Sequence, residues 1–142
     1  MTRKKLLILG GGIEQVILYD VAKKLNVYTI GIDDNPNAPA KNVANEFYSF
    51  KLKDEALMLQ KAMEIKPDGV MTHAAELSVE VAKIANLLSL PGISVDSAIN
   101  STFKEKRLDV FRRANVSCPK FKIYNSKDSF ETFIKSLEID LY

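Results

Sequence analysis

The chain alternates short apolar runs with segments whose apolar residues recur every three or four positions. The first run is Lys5-Leu6-Leu7-Ile8-Leu9. Four consecutive apolar residues without alternation predict a strand covered on both faces, as in a parallel sheet. Gly10-Gly11-Gly12 stops that run. A helix is expected from about Glu14 to Leu25, with Leu18, Val21, Ala22 and Leu25 inward and Asn26 at its C-terminal cap. Val27-Tyr28-Thr29-Ile30-Gly31-Ile32-Asp33 is β-branched and aromatic and reads as a second strand. The loop Asp33-Asp34-Asn35-Pro36-Asn37-Ala38-Pro39 follows by its turn chemistry.

Glu46-Phe47-Tyr48-Ser49-Phe50 predicts a third strand. Asp54 is placed to cap a helix carrying Leu57, Met58, Ala62, Met63 and Ile65. Pro67-Asp68-Gly69 is a turn, Val70-Met71-Thr72 a fourth strand, and His73-Ala74-Ala75-Glu76 the loop at its carboxyl end. Leu77 to Leu88 is a helix with Leu77, Val81, Ile84, Ala85 and Leu88 inward. Pro91-Gly92 leads to a very short fifth strand around Ile93, then a helical turn near Ser97 to Asn100.

Strand and helix alternating at short intervals predict an α/β fold. It is read as a Rossmann-like, doubly wound, three-layer parallel sheet of order 3-2-1-4-5, with a ligand rim where the order reverses. Beyond this region the pattern changes. Phe103 to Ala114 is an amphipathic helix ending at Asn115 in a left-handed cap. Residues 119–124 are expected to be extended, and Asp128 to Leu137 helical with Phe130, Phe133, Ile134 and Leu137 along one side. The final Ile139-Asp140-Leu141-Tyr142 is apolar and lacks a partner strand. The expected division is a first domain over 1–101 and, over 102–142, a linker helix with the beginning of a truncated second domain.

Composition narrows the picture only a little. A chain of 142 residues buries roughly 68% of its unfolded surface, enough for one respectable core. Its 20 basic and 18 acidic residues nearly cancel. Nucleic-acid binding needs basic residues concentrated on one face, and the sole basic cluster, Lys104 to Arg113, is diluted by Glu105 and Asp109. No nucleic-acid partner is expected. One cysteine, Cys118, rules out an internal disulfide and fits a reducing cytoplasm. The apolar stretch after Lys4 breaks at the glycines and meets Glu14, so no signal-peptide core forms. No segment reaches membrane-spanning length, so no membrane partner is expected.

Candidate chemistry gathers on the predicted rim. Gly10, Gly11 and Gly12 line a ligand or merely turn the chain. The helix behind them would aim free N–H groups and a positive dipole end at the same place. The spacing is not G-x-G-x-x-G, because Gln15 stands where the third glycine would, and Glu14 would repel a pyrophosphate. Asp33 holds a ribose hydroxyl or serves as a turn residue. His73, the single histidine, orients a carboxylate, acts as a general base, or is structural. Glu76 caps the next helix or meets an amine. Lys104 is a phosphate-binding cation or a solvated helix lysine.

Several of these motifs together resemble the N-terminal, pre-ATP-grasp part of an ATP-grasp ligase of the carbamoyl-phosphate-synthase-like kind. Ile8-Leu9-Gly10-Gly11-Gly12-Ile13-Glu14-Gln15 is similar to the family's opening "ilGgGieq". Asp33 to Pro39 is similar to its "D.NpnAp" loop, Ala44-Asn45-Glu46-Phe47 to "aDef", and Leu88-Ser89-Leu90-Pro91-Gly92 to "lgLPG". Lys104 through Phe121 resembles "DK..mr..l..aGvpvPkf", with Phe103 for the aspartate and Asn115 for the glycine. The resemblance runs from Leu6 to Ile139.

That resemblance implies a parent enzyme that activates a carboxylate as an acyl phosphate with ATP and magnesium and joins it to an amine or similar nucleophile. It implies substrate-binding roles for Gly10, Gly11, Gly12, Glu14, Asp33, His73 and Glu76, and an ATP-binding role for Lys104. No catalytic residue or metal ligand is expected in this chain, which would be inactive alone and bind neither ATP nor magnesium. A homodimer is possible by the same resemblance. Two other readings stay open. One is a free-standing Rossmann-like module for a nucleotide or nucleotide-sugar. The other is a non-catalytic partner of a full ligase.

Overall fold

The structure is a computed structural model that describes residues 3–119, 123–124 and 126–136. Two compact units form, Met1–Phe103 and Lys104–Tyr142.

In the first unit, β1 (Lys5–Leu9), β2 (Tyr28–Asp33), β3 (Glu46–Ser49) and β4 (Gly69–Thr72) make one parallel sheet of order β3-β2-β1-β4. The register sets Leu7 opposite Ile30 and Val70, and Leu9 opposite Ile32 and Thr72. Alternate residues of β1 supply opposite faces. Leu7 and Leu9 join Ile30 and Ile32 in packing on Met58, Ala62 and Ile65 of α2 (Glu55–Ile65) and Ile84 of α3 (Ser78–Leu87). Ile8 faces the other way, onto Tyr19 of α1 (Val16–Lys24) and Ala40. Burial on both faces is why β1 is a continuous apolar run rather than an alternating one.

The expected helix boundaries shift in instructive ways. A short 3-10 turn, Ile13–Gln15, precedes α1. The face of α1 turned to the sheet carries Tyr19 and Ala22, while Val21 and Leu25 are exposed. Asn26 takes the left-handed conformation expected of a cap, with φ 56°. Asp54 caps α2 by accepting from the Leu57 N–H at 3.1 Å.

The expected order 3-2-1-4-5 requires correction. No fifth strand forms among the described residues, and Ile93 is exposed. Pro91 has no N–H to give a ladder. Ser94, three residues on, already caps α4 (Val95–Thr102), its hydroxyl accepting from the Ser97 N–H. Only Gly92 and Ile93 lie between, too few to pair.

The second unit holds α5 (Lys104–Arg113) and α6 (Lys127–Ser136). Asn115 has φ 54°, again a left-handed helix end. The ring of Tyr124 lies 5.6 Å from Phe130 and 5.2 Å from Phe133. Cys118 is half-buried. The expectations for Lys120 to Lys122 and for Leu137 and Ile139 to Tyr142 lie outside the described residues.

Candidate functional site

The rim is built where β1, β2 and β4 end. Gly10 leaves β1 with φ +95°, a conformation costly for any residue with a Cβ. Its N–H donates to the Ile32 carbonyl at 2.8 Å, carrying the β1–β2 pairing one step further. The next N–H, from Gly11, donates to Asp33 Oδ2 at 2.6 Å, and the Asn35 N–H donates to Oδ1 at 2.7 Å. Both carboxylate oxygens of Asp33 are thus engaged with backbone. The residue braces the β1 loop against the β2 loop, the role expected of a turn aspartate.

Two side chains that sequence reasoning did not single out complete the frame. The Gln15 amide, nearly buried at 6% exposure, donates to the His73 carbonyl at 2.5 Å. The Thr72 hydroxyl donates to the Leu9 carbonyl at 2.8 Å. Together they tie the β4 loop to β1 and to the start of α1. The one available signal was the amide of Gln15 itself, at the end of the 3-10 turn that leads from the buried strand into α1. Below the rim, the Tyr19 hydroxyl donates to the Gly10 carbonyl at 3.3 Å. Burial, and secondarily the charge of Asp33, raise the phenol above its ordinary range, so it stays protonated and keeps donating.

The first turn before α1 has spare donors. Gly12 is its N-cap, extended and without a side-chain cap. The Gln15 N–H closes back on the Gly12 carbonyl at 3.1 Å, while the N–H groups of Gly12, Ile13 and Glu14 have no partner among the described residues. They mark the positive end of the helix dipole and are suited to an anionic or carbonyl oxygen. Across the rim, His73 and Glu76 are exposed, and Ala74 between them is left-handed at φ 49°. Such a conformation in a non-glycine residue stores strain of about 1 kcal/mol.

The structure therefore brings Gly10, Gly11, Gly12, Glu14, Asp33 and His73 to one rim, with Glu76 three residues further along the same loop. Lys104 opens α5 in the second unit and is exposed. Among the described residues no group of three His, Cys, Asp or Glu side chains converges as a metal site. No described helix is long and apolar enough to cross a membrane.

No family profile matches the chain. It is 28% identical over 138 residues to a formate-dependent phosphoribosylglycinamide formyltransferase of Prochlorococcus marinus, covering 96% of this chain and 35% of the relative. The chain thus spans about a third of that relative's length. Among solved structures it resembles phosphoribosylglycinamide synthetase from Anaerococcus prevotii, with a TM-score of 0.78 and 28% identity over 97% of this chain and 36% of the other. It shares the fold of N5-carboxyaminoimidazole synthetase from Staphylococcus aureus complexed with ADP, at a TM-score of 0.72 and 18% identity, covering 96% of this chain and 36% of that one. These relatives are ATP-grasp ligases, and the chain matches their N-terminal part.

Proposed function

We propose that this chain is the acceptor-holding N-terminal domain of an ATP-grasp ligase, with residues 1–101 forming the acceptor domain and 102–142 leading into the nucleotide-binding part. The relatives' names suggest formate as the acid and phosphoribosylglycinamide as the amine-bearing acceptor. In the reaction class, the acid's carboxylate attacks the terminal phosphorus of ATP, giving an acyl phosphate and ADP. The acceptor amine then attacks the acyl carbon, the C–N bond forms, and phosphate leaves with the C–O bond's electrons. ATP and magnesium supply the phosphoryl group and its charge neutralisation in the parent enzyme. From this chain only Lys104 is assigned towards the nucleotide phosphates.

The observation carrying this reading is the rim itself. It presents three unpartnered N–H groups at a helix start on one side and the exposed Glu76 carboxylate on the other, in a chain that matches a formyltransferase over 96% of its length. The N–H groups of Gly12, Ile13 and Glu14 suit the acceptor's phosphate. Glu76 suits the acceptor's amine, and His73 orients the polar groups between them. The Asp33 and Gln15 hydrogen bonds hold this surface in place before anything binds, which lowers the ordering cost of binding.

The test is an ADP-release assay. The chain alone, given magnesium, ATP, formate and phosphoribosylglycinamide, is expected to release none. Fused ahead of the remaining two thirds of the Prochlorococcus marinus formyltransferase, it is expected to restore release that depends on both formate and acceptor. Turnover by the isolated chain would refute the assignment.

A further inference from the structure

Gln15 stands where a G-x-G-x-x-G turn would carry its third glycine, and its side chain folds into the turn rather than away from it. The missing side chains of Gly10 and Gly12 make the room. A Cβ on Gly12 would lie 2.7 Å from Gln15 Oε1, and one on Gly10 would lie 3.5 Å from Gln15 Cγ. The backbone holds the same residue, its N–H donating to the Gly12 carbonyl at 3.1 Å. From that seat the amide donates to the His73 carbonyl at 2.5 Å. The side chain is buried, which shields the bond from competing water.

The β4 loop is pinned at its two ends. Thr72 fixes its entrance through the Leu9 carbonyl, and the buried Leu77 closes its exit, its N–H donating to the Ala75 carbonyl at 2.9 Å. His73, Ala74 and Glu76 lie between these points and are exposed. The Gln15 amide joins this stretch to the glycine turn. The turn itself is held by other bonds: the Gly10 N–H to Ile32, the Gly11 N–H to Asp33 and the Ala40 N–H to the Gly11 carbonyl. Loss of the Gln15 amide therefore releases the β4 side of the rim and leaves the N–H groups of the turn in place.

We propose that Gln15 is a positioning residue that fixes the span between the N–H groups of Gly12, Ile13 and Glu14 and the Glu76 carboxylate. It thereby selects ligands with a monoester phosphate at one end and an amine at the other, an assignment that rests on the acceptor-holding reading of the rim. A ligand held by its phosphate presents its amine to Glu76 at an effective concentration set by how well that span is kept. With Gln15 in place the second contact forms without ordering the loop. Without it, residues 73–76 must be ordered on binding, and that cost offsets the gain from the amine. A phosphate that lacks the amine is held at the turn alone and is indifferent to the span.

Calorimetric titration of the full chain with phosphoribosylglycinamide and, separately, with ribose 5-phosphate tests this. The native chain is expected to bind the amine-bearing ligand about tenfold more tightly. Gln15→Met keeps bulk inside the turn and removes the donor. It is expected to weaken phosphoribosylglycinamide about tenfold and ribose 5-phosphate by less than about twofold. In that background Glu76→Gln is expected to add less than about twofold, because the two changes remove one coupled contact. Gln15→Glu keeps the side chain's length but turns an acceptor towards the His73 carbonyl. It is expected to show the same pattern, and it carries the test if the methionine variant does not fold. Equal native affinity for the two ligands, or equal losses of both in the Gln15 variants, would overturn the role of Gln15 while leaving the acceptor reading intact. An undiminished effect of Glu76→Gln in the Gln15→Met chain would do the same. A native chain that binds neither ligand would overturn the acceptor reading and the fixed span with it.

Discussion

At the scale of single residues, the packing around Gly31 shows how narrow the tolerances are beneath the rim. A Cβ at this position would stand 2.6 Å from the Tyr19 hydroxyl and 2.9 Å from Phe47 Cδ2. Gly31 lies inside β2, where the strand pattern alone reads it as a weak point. The structure shows its purpose: its missing side chain makes room for the tyrosine that props Gly10. Gly31→Ala is expected to cost about 1–3 kcal/mol by overpacking, read as a fall of several degrees in melting temperature. Asp68 offers a pH-dependent check. The Lys4 ammonium at 2.6 Å, and then the Lys5 N–H at 2.8 Å, hold its carboxyl below the ordinary range. A depressed carboxyl contributes stability at pH above its unfolded value, about 4, and loses it as pH falls through the lower folded value. Asp68→Asn is therefore expected to melt below the native chain at pH 7, with the gap closing in strong acid. A gap that persisted or widened in acid would contradict this account of Asp68.

At the scale of elements, the sequence pattern was most informative where burial is two-sided. The extent of β1 is as expected, Lys5–Leu9, because an apolar run bounded by lysine and glycine has only one consistent reading. The outer face of α1 was less legible. Leu18, Val21, Ala22 and Leu25 fit helical spacing, yet the large Tyr19 takes the sheet-facing position and rotates the helix so that Val21 and Leu25 face out. Periodicity gives the period but not the phase when both faces carry apolar residues. The fifth strand failed for a different reason: local proline and capping chemistry override the expectation of one more β unit. Of the rim, the glycines, Asp33 and the β4 loop were legible from turn chemistry, whereas the Gln15 link depends on a contact between residues 58 positions apart. Cutting that link is expected to matter. Gln15→Ala leaves the His73 carbonyl unsatisfied and is expected to cost about 1–3 kcal/mol, with faster amide exchange in residues 73–76 than in β1.

At the scale of the whole molecule, the account rests on the sheet ends working as one surface. The β1 loop, the β2 loop and the β4 loop are joined by hydrogen bonds to Asp33, Gln15 and Thr72. Their free donors are the N–H groups of Gly12, Ile13 and Glu14, which the proposed function assigns to the acceptor's phosphate. A dinucleotide module would instead use the Asp33 carboxylate, which here accepts from the Gly11 and Asn35 N–H groups. The most direct measurement is a titration of the full chain with phosphoribosylglycinamide, followed by amide nitrogen-15 shifts. The account predicts saturable shifts confined to residues 11–14 and 73–76, weakened at least tenfold by Glu76→Gln, with ADP producing none at the rim. Rim shifts with ADP and none with the amine would contradict it.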